Sequence, residues 1–194
     1  MRLRNARTAA LFAGAALFCS APVAVADSQL GGVPQVGETV TCQSNGNMAF
    51  SPGVIPTPFP RDTNVQAEAV STSCAGTTLF GDQIVSSNFK AGFDSPLSCF
   101  YGGTSKQFSG TATIEWHSAD GMTYQSTAQV HISGQLLNTV TVDGQVTDGL
   151  YAGENLHGQM HVSLAQGAVD CVGMAVAGGV RTISTDMSLM VSPQ

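Results

Sequence analysis

Apolar and polar residues alternate one by one over much of this chain, and no long window carries the 3.6-residue spacing of an amphipathic helix. The clearest run is FSGTATIEWH. Phe108, Gly110, Ala112, Ile114 and Trp116 fall on one face, and Ser109, Thr111, Thr113, Glu115 and His117 on the other. A second run, MTYQSTAQVHIS, sets Met122, Tyr124, Ser126, Ala128, Val130 and Ile132 against Thr123, Gln125, Thr127, Gln129 and His131. Facing residues of a hairpin point the same way, so Trp116 must oppose an even-numbered partner. A three-residue loop, Ala119-Asp120-Gly121, sets Trp116 opposite Tyr124 and puts Gly121 where a bulged type I turn needs a left-handed residue. Trp116 and Tyr124 then belong to the core.

The same reasoning predicts a strand around Leu136–Val142 and another over Asn155–Ala165, with Leu156, Gly158, Met160, Val162 and Leu164 inward. A closing strand runs over Arg181–Val191 with Ile183, Met187, Leu189 and Val191 inward. Upstream, Val85, Phe89, Ala91 and Phe93 share a face, and Val65–Thr72 alternates weakly. Seven to nine short strands with one inward face each predict an all-β domain: an antiparallel β-sandwich, Ig-like or similar, with a small β-barrel as the alternative.

The first 26 residues read differently. Arg2, Arg4 and Arg7 precede an apolar run from Ala9 to Phe18, then small residues ending Ala24-Val25-Ala26, the three-part pattern of a secretory signal. The apolar run is too short for a membrane span of roughly 20 residues. Phe18 before Cys19 argues against lipidation, and the separated Arg2 and Arg4 against a twin-arginine route. Cleavage after Ala26 leaves a single domain over 27–194, an extracellular location and no membrane insertion. The remaining 168 residues keep all 13 acids but only Arg61, Lys90, Lys106 and Arg181 as bases, a net charge of −9. Such a surface repels phosphate backbones and anionic lipid, so nucleic acid is not an expected partner.

Cleavage also removes Cys19 and leaves Cys42, Cys74, Cys99 and Cys171, an even set that reads as two disulfides. Three connectivities are open. We take Cys42–Cys74, clamping the amino-terminal loops, with Cys99–Cys171 tying the sheet region.

Candidate chemistry is sparse. His157 and His161 would share a zinc ion on a helix, but on a strand they lie about 13 Å apart and cannot. All four histidines, 117, 131, 157 and 161, fall on predicted polar faces; were several to meet across neighbouring strands they would form a pH-sensitive or metal-binding patch. Ser87 and Lys90 match S-x-x-K, yet on a strand they point to opposite sides, and the partner motifs S-D-N and K-T-G are missing from the sequence. No nucleophile elbow, phosphate loop or C-x-x-C pair occurs. The expectation is therefore no catalytic residue, no metal and no cofactor. Tyr101 and Tyr151, each beside a glycine, are expected in exposed loops.

The segment least like the rest is Phe50–Asp62, whose four prolines favour an extended path and exclude a central strand. Bounded by a Cys42–Cys74 bridge, it would be a displayed loop offering Val54, Ile55, Pro56, Pro58, Phe59 and Arg61 to a partner.

With these features assembled, the chain resembles small secreted β-rich proteins of actinomycetes. The resemblance rests on the Ala24-Val25-Ala26 end, the four mature cysteines, GTATIEW at 110–116 and VTDGLYAGENLHG at 146–158. It implies an extracellular location and a sandwich-like fold, and transfers no functional residue. The functional expectation is a secreted, non-catalytic interaction or structural domain whose unknown partner is an extracellular protein or cell-wall polymer. The alternatives are a protease inhibitor using the proline-rich loop and a carbohydrate-binding module.

Overall fold

Among the described residues, consecutive strands pair antiparallel and the last pairs with the first. The computed structural model describes residues 39–99, 108–134, 139–162 and 179–194. Its strands are β1 (Val40–Val54), β2 (Arg61–Ala75), β3 (Ile84–Leu97), β4 (Phe108–Ser118), β5 (Thr123–Gly134), β6 (Thr139–Gly149), β7 (Asn155–Val162) and β8 (Val180–Ser192). They form one closed up-and-down barrel in the order β1 to β8.

This corrects the expected sandwich in favour of the alternative barrel. One inward face per strand fits both architectures. What distinguishes them is the edge, and here β1 pairs with β8 from Val40 opposite Val191 to Ala49 opposite Thr182, so no edge is left open. Closure is helped by small inward residues at mid-strand. A Cβ at Gly46 or Gly144 would collide with the backbone carbonyl of Glu68 or Gln129 on the next strand. Larger side chains fill the lumen between them: Met48, Phe89, Ile114, Trp116, Ile132, Leu156, Met160 and Met187 are all buried. Outward positions on β4 to β7 carry Thr, Gln, Asn, Asp, Glu and His, the reverse of a transmembrane barrel, whose outer band is apolar.

The β4–β5 hairpin has the derived register. Trp116 opposes Tyr124, Glu115 opposes Gln125, and Thr113 opposes Thr127. Ser118 N donates to Met122 O at 3.0 Å around the three-residue loop, and Gly121 is left-handed at φ 81°. Met122, expected inward, stands at the end of that turn and is exposed, because the ladder closes one residue short of carrying it inside.

Other departures have local causes. β1 was not expected as a strand, although Val40, Cys42, Ser44, Met48 and Phe50 alternate inward along it. The Phe50–Asp62 segment is not one loop. Phe50 to Val54 finish β1, and Arg61 and Asp62 begin β2. Pro52 is tolerated because the β1–β8 register breaks between Ala49 and Val54, where no ladder N–H is required of it. On β3, a register shift between Ile84 and Ser86 puts Ile84 inside and leaves Val85 half-buried. β6 continues past Val142 to Gly149; residues 136–138 and 163–165 of the expected strands lie outside the described residues.

Cys42 and Cys74 are bonded, as expected, with Cα atoms 4.2 Å apart. The bridge joins directly opposed residues of β1 and β2 rather than clamping loops, which fits folding in an oxidising compartment. Cys99 is also disulfide-bonded, while Cys171, its expected partner, lies outside the described residues.

Candidate functional site

The barrel has two rims. Residues 76–83, 119–122 and 150–154 form one; the proline-rich turn at 55–60 belongs to the other. Large apolar side chains in solvent are concentrated at the first. Leu79 is 39 % exposed, Phe80 82 % and Met122 55 %.

These three sit on backbone that is tied down. Thr78 organises the β2–β3 loop: its Oγ1 accepts from Phe80 N at 3.1 Å and Asp82 N at 3.0 Å. Its own N–H donates to Asp82 O at 2.8 Å, and Gly81, left-handed at φ 89°, donates to Thr78 O at 3.0 Å. A threonine closing a turn with its hydroxyl and a glycine at positive φ are the residue types such a loop requires. The loop is then fastened to its neighbour. Tyr124 donates its hydroxyl to Asp82 Oδ2 at 2.5 Å, and Ala119 N donates to Gln83 O at 2.9 Å.

Across the mouth, Tyr151 supplies a strut. It was expected in an exposed loop, yet it is buried. Its ring packs edge-on against Trp116 with centroids 5.5 Å apart, and its hydroxyl donates to Thr77 O at 2.9 Å. Its φ of 65° is costly for a side chain of this size; the packing and the hydrogen bond hold it there. Beneath it, Trp116 Nε1 donates to Ser126 Oγ at 2.9 Å, and Ser126 Oγ donates to Leu150 O. Both tyrosines are shifted towards the neutral form. The hydrogen bond to Asp82 raises Tyr124 above the ordinary phenol value, with burial and the charges of Asp82 and Asp120 adding. Burial, then the Glu154 and Tyr124 charges, push Tyr151 well above it. These phenols are locks rather than proton carriers at neutral pH.

The opposite rim separates the residues expected to act together. Val54 is buried in the core, Ile55, Pro56 and Arg61 are half-buried, and Pro58 and Phe59 are exposed, Phe59 by 80 %. Thr57 N turns back onto Ile55 O at 2.9 Å, Ile55 O also accepts from Cys99 N at 3.0 Å, and the Arg61 guanidinium donates to Gly53 O. The stretch is therefore a tight turn displaying one aromatic, not an extended loop. The Cys42–Cys74 bridge lies at the other end of β1 and does not bound it.

Ser87 is buried inside the barrel while Lys90 is exposed and pairs with Glu68 at 3.3 Å, so strand parity separates them as expected. His157 and His161 lie on the outer face of β7, where His157 Nδ1 meets Asp143 Oδ1 at 2.5 Å and His161 Nδ1 meets Thr139 Oγ1 at 3.3 Å. Tyr101 lies outside the described residues. Sequence reasoning missed Leu79, Phe80 and Thr78. Their signal was TTLFGD, two large apolar residues ahead of Gly-Asp, a turn pattern that an alternation search passes over.

Comparison with protein families, curated proteins and solved structures found no match.

Proposed function

We propose that this is an exported, non-catalytic β-barrel domain that binds an extracellular protein through the rim formed by residues 76–83 and 119–122. The observation that carries the reading is the placement of Leu79, Phe80 and Met122 in solvent on loops already fixed by hydrogen bonds. Exposed apolar side chains grouped on one surface mark interaction sites, and a loop ordered before binding loses little entropy on binding. The inward face is committed to packing and the outer wall of β4 to β7 is polar. This rim carries three of the five large apolar side chains exposed among the described residues, the others being Phe59 on the opposite rim and Val70 on β2.

The reading includes export: the disulfide fits it, and the Ala24-Val25-Ala26 end supports cleavage after Ala26. The test immobilises the mature, oxidised protein and its Phe80→Ser/Met122→Ser twin, then exposes both to spent medium and cell-wall fragments from the source organism. A protein retained by the first and released by the twin supports the proposal. Equal retention on both, or retention on neither, overturns it.

A further inference from the structure

The apolar side chains of the first rim stand in a field of one sign. Residues 76–83, 119–122 and 148–154 include Asp82, Asp120, Asp148 and Glu154 and no lysine, arginine or histidine. Glu154 is buried, whereas Asp120 and Asp148 are exposed. The ion pairs among the described residues are Lys90–Glu68, His117–Glu115 and His157–Asp143, and none takes up Asp120 or Asp148. Asp82 accepts from the Tyr124 hydroxyl at 2.5 Å, and the charge of Asp120 reaches the same phenol. Asp120 is also two positions from Met122 at the tip of the β4–β5 hairpin. The described bases lie elsewhere. Lys90 is on the wall, and Arg61 and Arg181 stand where β2 and β8 begin, on the opposite rim. Leu79, Phe80 and Met122 are thus surrounded by negative charge that the described chain does not balance.

That sign decides between occupants. A second copy docked rim to rim would set carboxylates against carboxylates, which repel. Docked against the opposite rim, it would meet Asp62 and Asp94 beside Arg61 and Arg181, with no net positive charge among the described residues. Residues 27–38, ahead of β1, carry Asp27 and Glu38 and no base. An anionic lipid surface is repelled in the same way. A basic partner is attracted. A lysine within about 4 Å of a solvated carboxylate gains a factor of about five in affinity, and an apolar side chain next to it gains by burial against the rim.

Resting on the rim-binding reading above, we infer that the partner is a basic protein segment. It seats a large apolar side chain against Leu79, Phe80 and Met122, and flanks it with lysine or arginine that face Asp120 and Asp82. The apolar contact supplies the area; the carboxylates choose the partner and speed its approach, an effect that salt weakens.

The test selects random displayed peptides of about 12 residues on the immobilised mature, oxidised protein. The winners are then synthesised and their affinities measured by fluorescence anisotropy. The expected winners carry lysine or arginine beside Phe, Trp or Leu and lose binding to the Phe80→Ser/Met122→Ser protein. At about 0.05 M salt, Asp120→Asn should weaken them about fivefold and Asp120→Lys by more than about 10-fold, both differences fading near 1 M salt. Asp62→Asn, exposed on the opposite rim, should leave affinity unchanged, which separates local pairing from loss of net charge. Unchanged thermal unfolding shows each variant intact. Winners that need Phe80 and Met122 but carry no excess of bases, or that bind Asp120→Lys as tightly as the parent, overturn the basic partner and leave the rim reading standing. So does an equal loss in Asp62→Asn and Asp120→Asn. Winners indifferent to Phe80→Ser/Met122→Ser, or no enrichment at all, overturn both.

Discussion

Replacing Ser126 by Ala tests whether the rim is braced from within. The Ser126 hydroxyl, fully buried, accepts from the Trp116 indole and donates to Leu150 O. Its removal strands an indole N–H and withdraws a donor from a peptide carbonyl. A buried polar group left without its partner costs about 1–3 kcal/mol, so two together come to about 2–6 kcal/mol. For a domain of this size that is a fall in Tm of roughly 5–20 °C. Trp116 is the only tryptophan in the chain, so urea unfolding followed by its fluorescence reads the site directly. Trp116→Phe removes the indole's demand, and Ser126→Ala in that background should cost about 1 kcal/mol less. A single Ser126→Ala variant within about 0.5 kcal/mol of the parent would refute the bracing argument. So would full additivity of the two changes, because a shared hydrogen bond must couple them.

Four further outcomes follow from the same contacts. Replacing both Cys42 and Cys74 by Ala opens a 32-residue separation and should lower the urea-unfolding free energy by about 3–4 kcal/mol on loop entropy. Gly121 and Gly149 both have positive φ, but a Cβ meets nothing at Gly121 and strikes Gln125 O at Gly149. Gly121→Ala should therefore cost about 1 kcal/mol, and Gly149→Ala well over 2 kcal/mol, in thermal melts. Tyr124 is raised above its ordinary value, so the stability it lends is present below pH ~10 and is lost as pH rises through its folded value; Asp82→Asn should bring its ultraviolet ionisation step down. Phe80→Ser/Met122→Ser should leave Tm unchanged, because neither side chain is in the core.

What the sequence made legible is whatever repeats with period two over a long run. The Trp116–Tyr124 register followed from parity alone, and it holds because each residue of that hairpin has a facing partner to satisfy. β1 escaped because its inward row runs Val40, Cys42, Ser44, Gly46, Met48, Phe50, with a serine and a glycine where a hydrophobic pattern was sought. Those small residues are what the closed sheet requires at Gly46, where a neighbouring carbonyl passes, a demand that arises only once β1 has met β2. Closure itself is a pairing between residues some 140 positions apart, such as Cys42 and Leu189, and no local pattern records it. Tyr151 was misplaced for a related reason. A tyrosine beside a glycine reads as a loop residue, which it is, but the loop folds inward over Trp116.

The same division separates the barrel wall from the rim. Alternation specifies which side chains face out, and all four histidines were assigned correctly on that basis. Facing out does not establish who stands next to whom; adjacency of His131, Asp143 and His157 is a product of strand order and register across β5, β6 and β7. A one-residue slip of β6 would carry Asp143 to the inside and separate the histidines by an inward-facing gap. The bulge between Thr127 and Ala128 shifts the ladder at one end of β5, while the pairing from Val130 to Gly134 runs unbroken through His131. The rim depends on the reverse property. Leu79, Phe80 and Met122 are exposed because they lie where the ladder has stopped, held by Thr78, Asp82 and Tyr124 instead of by a partner strand. A wall site is therefore sensitive to register and a rim site to turn chemistry. Thr78→Val should therefore loosen the rim, read as faster amide exchange at Phe80 and Asp82, while the amides of β5, β6 and β7 keep their protection.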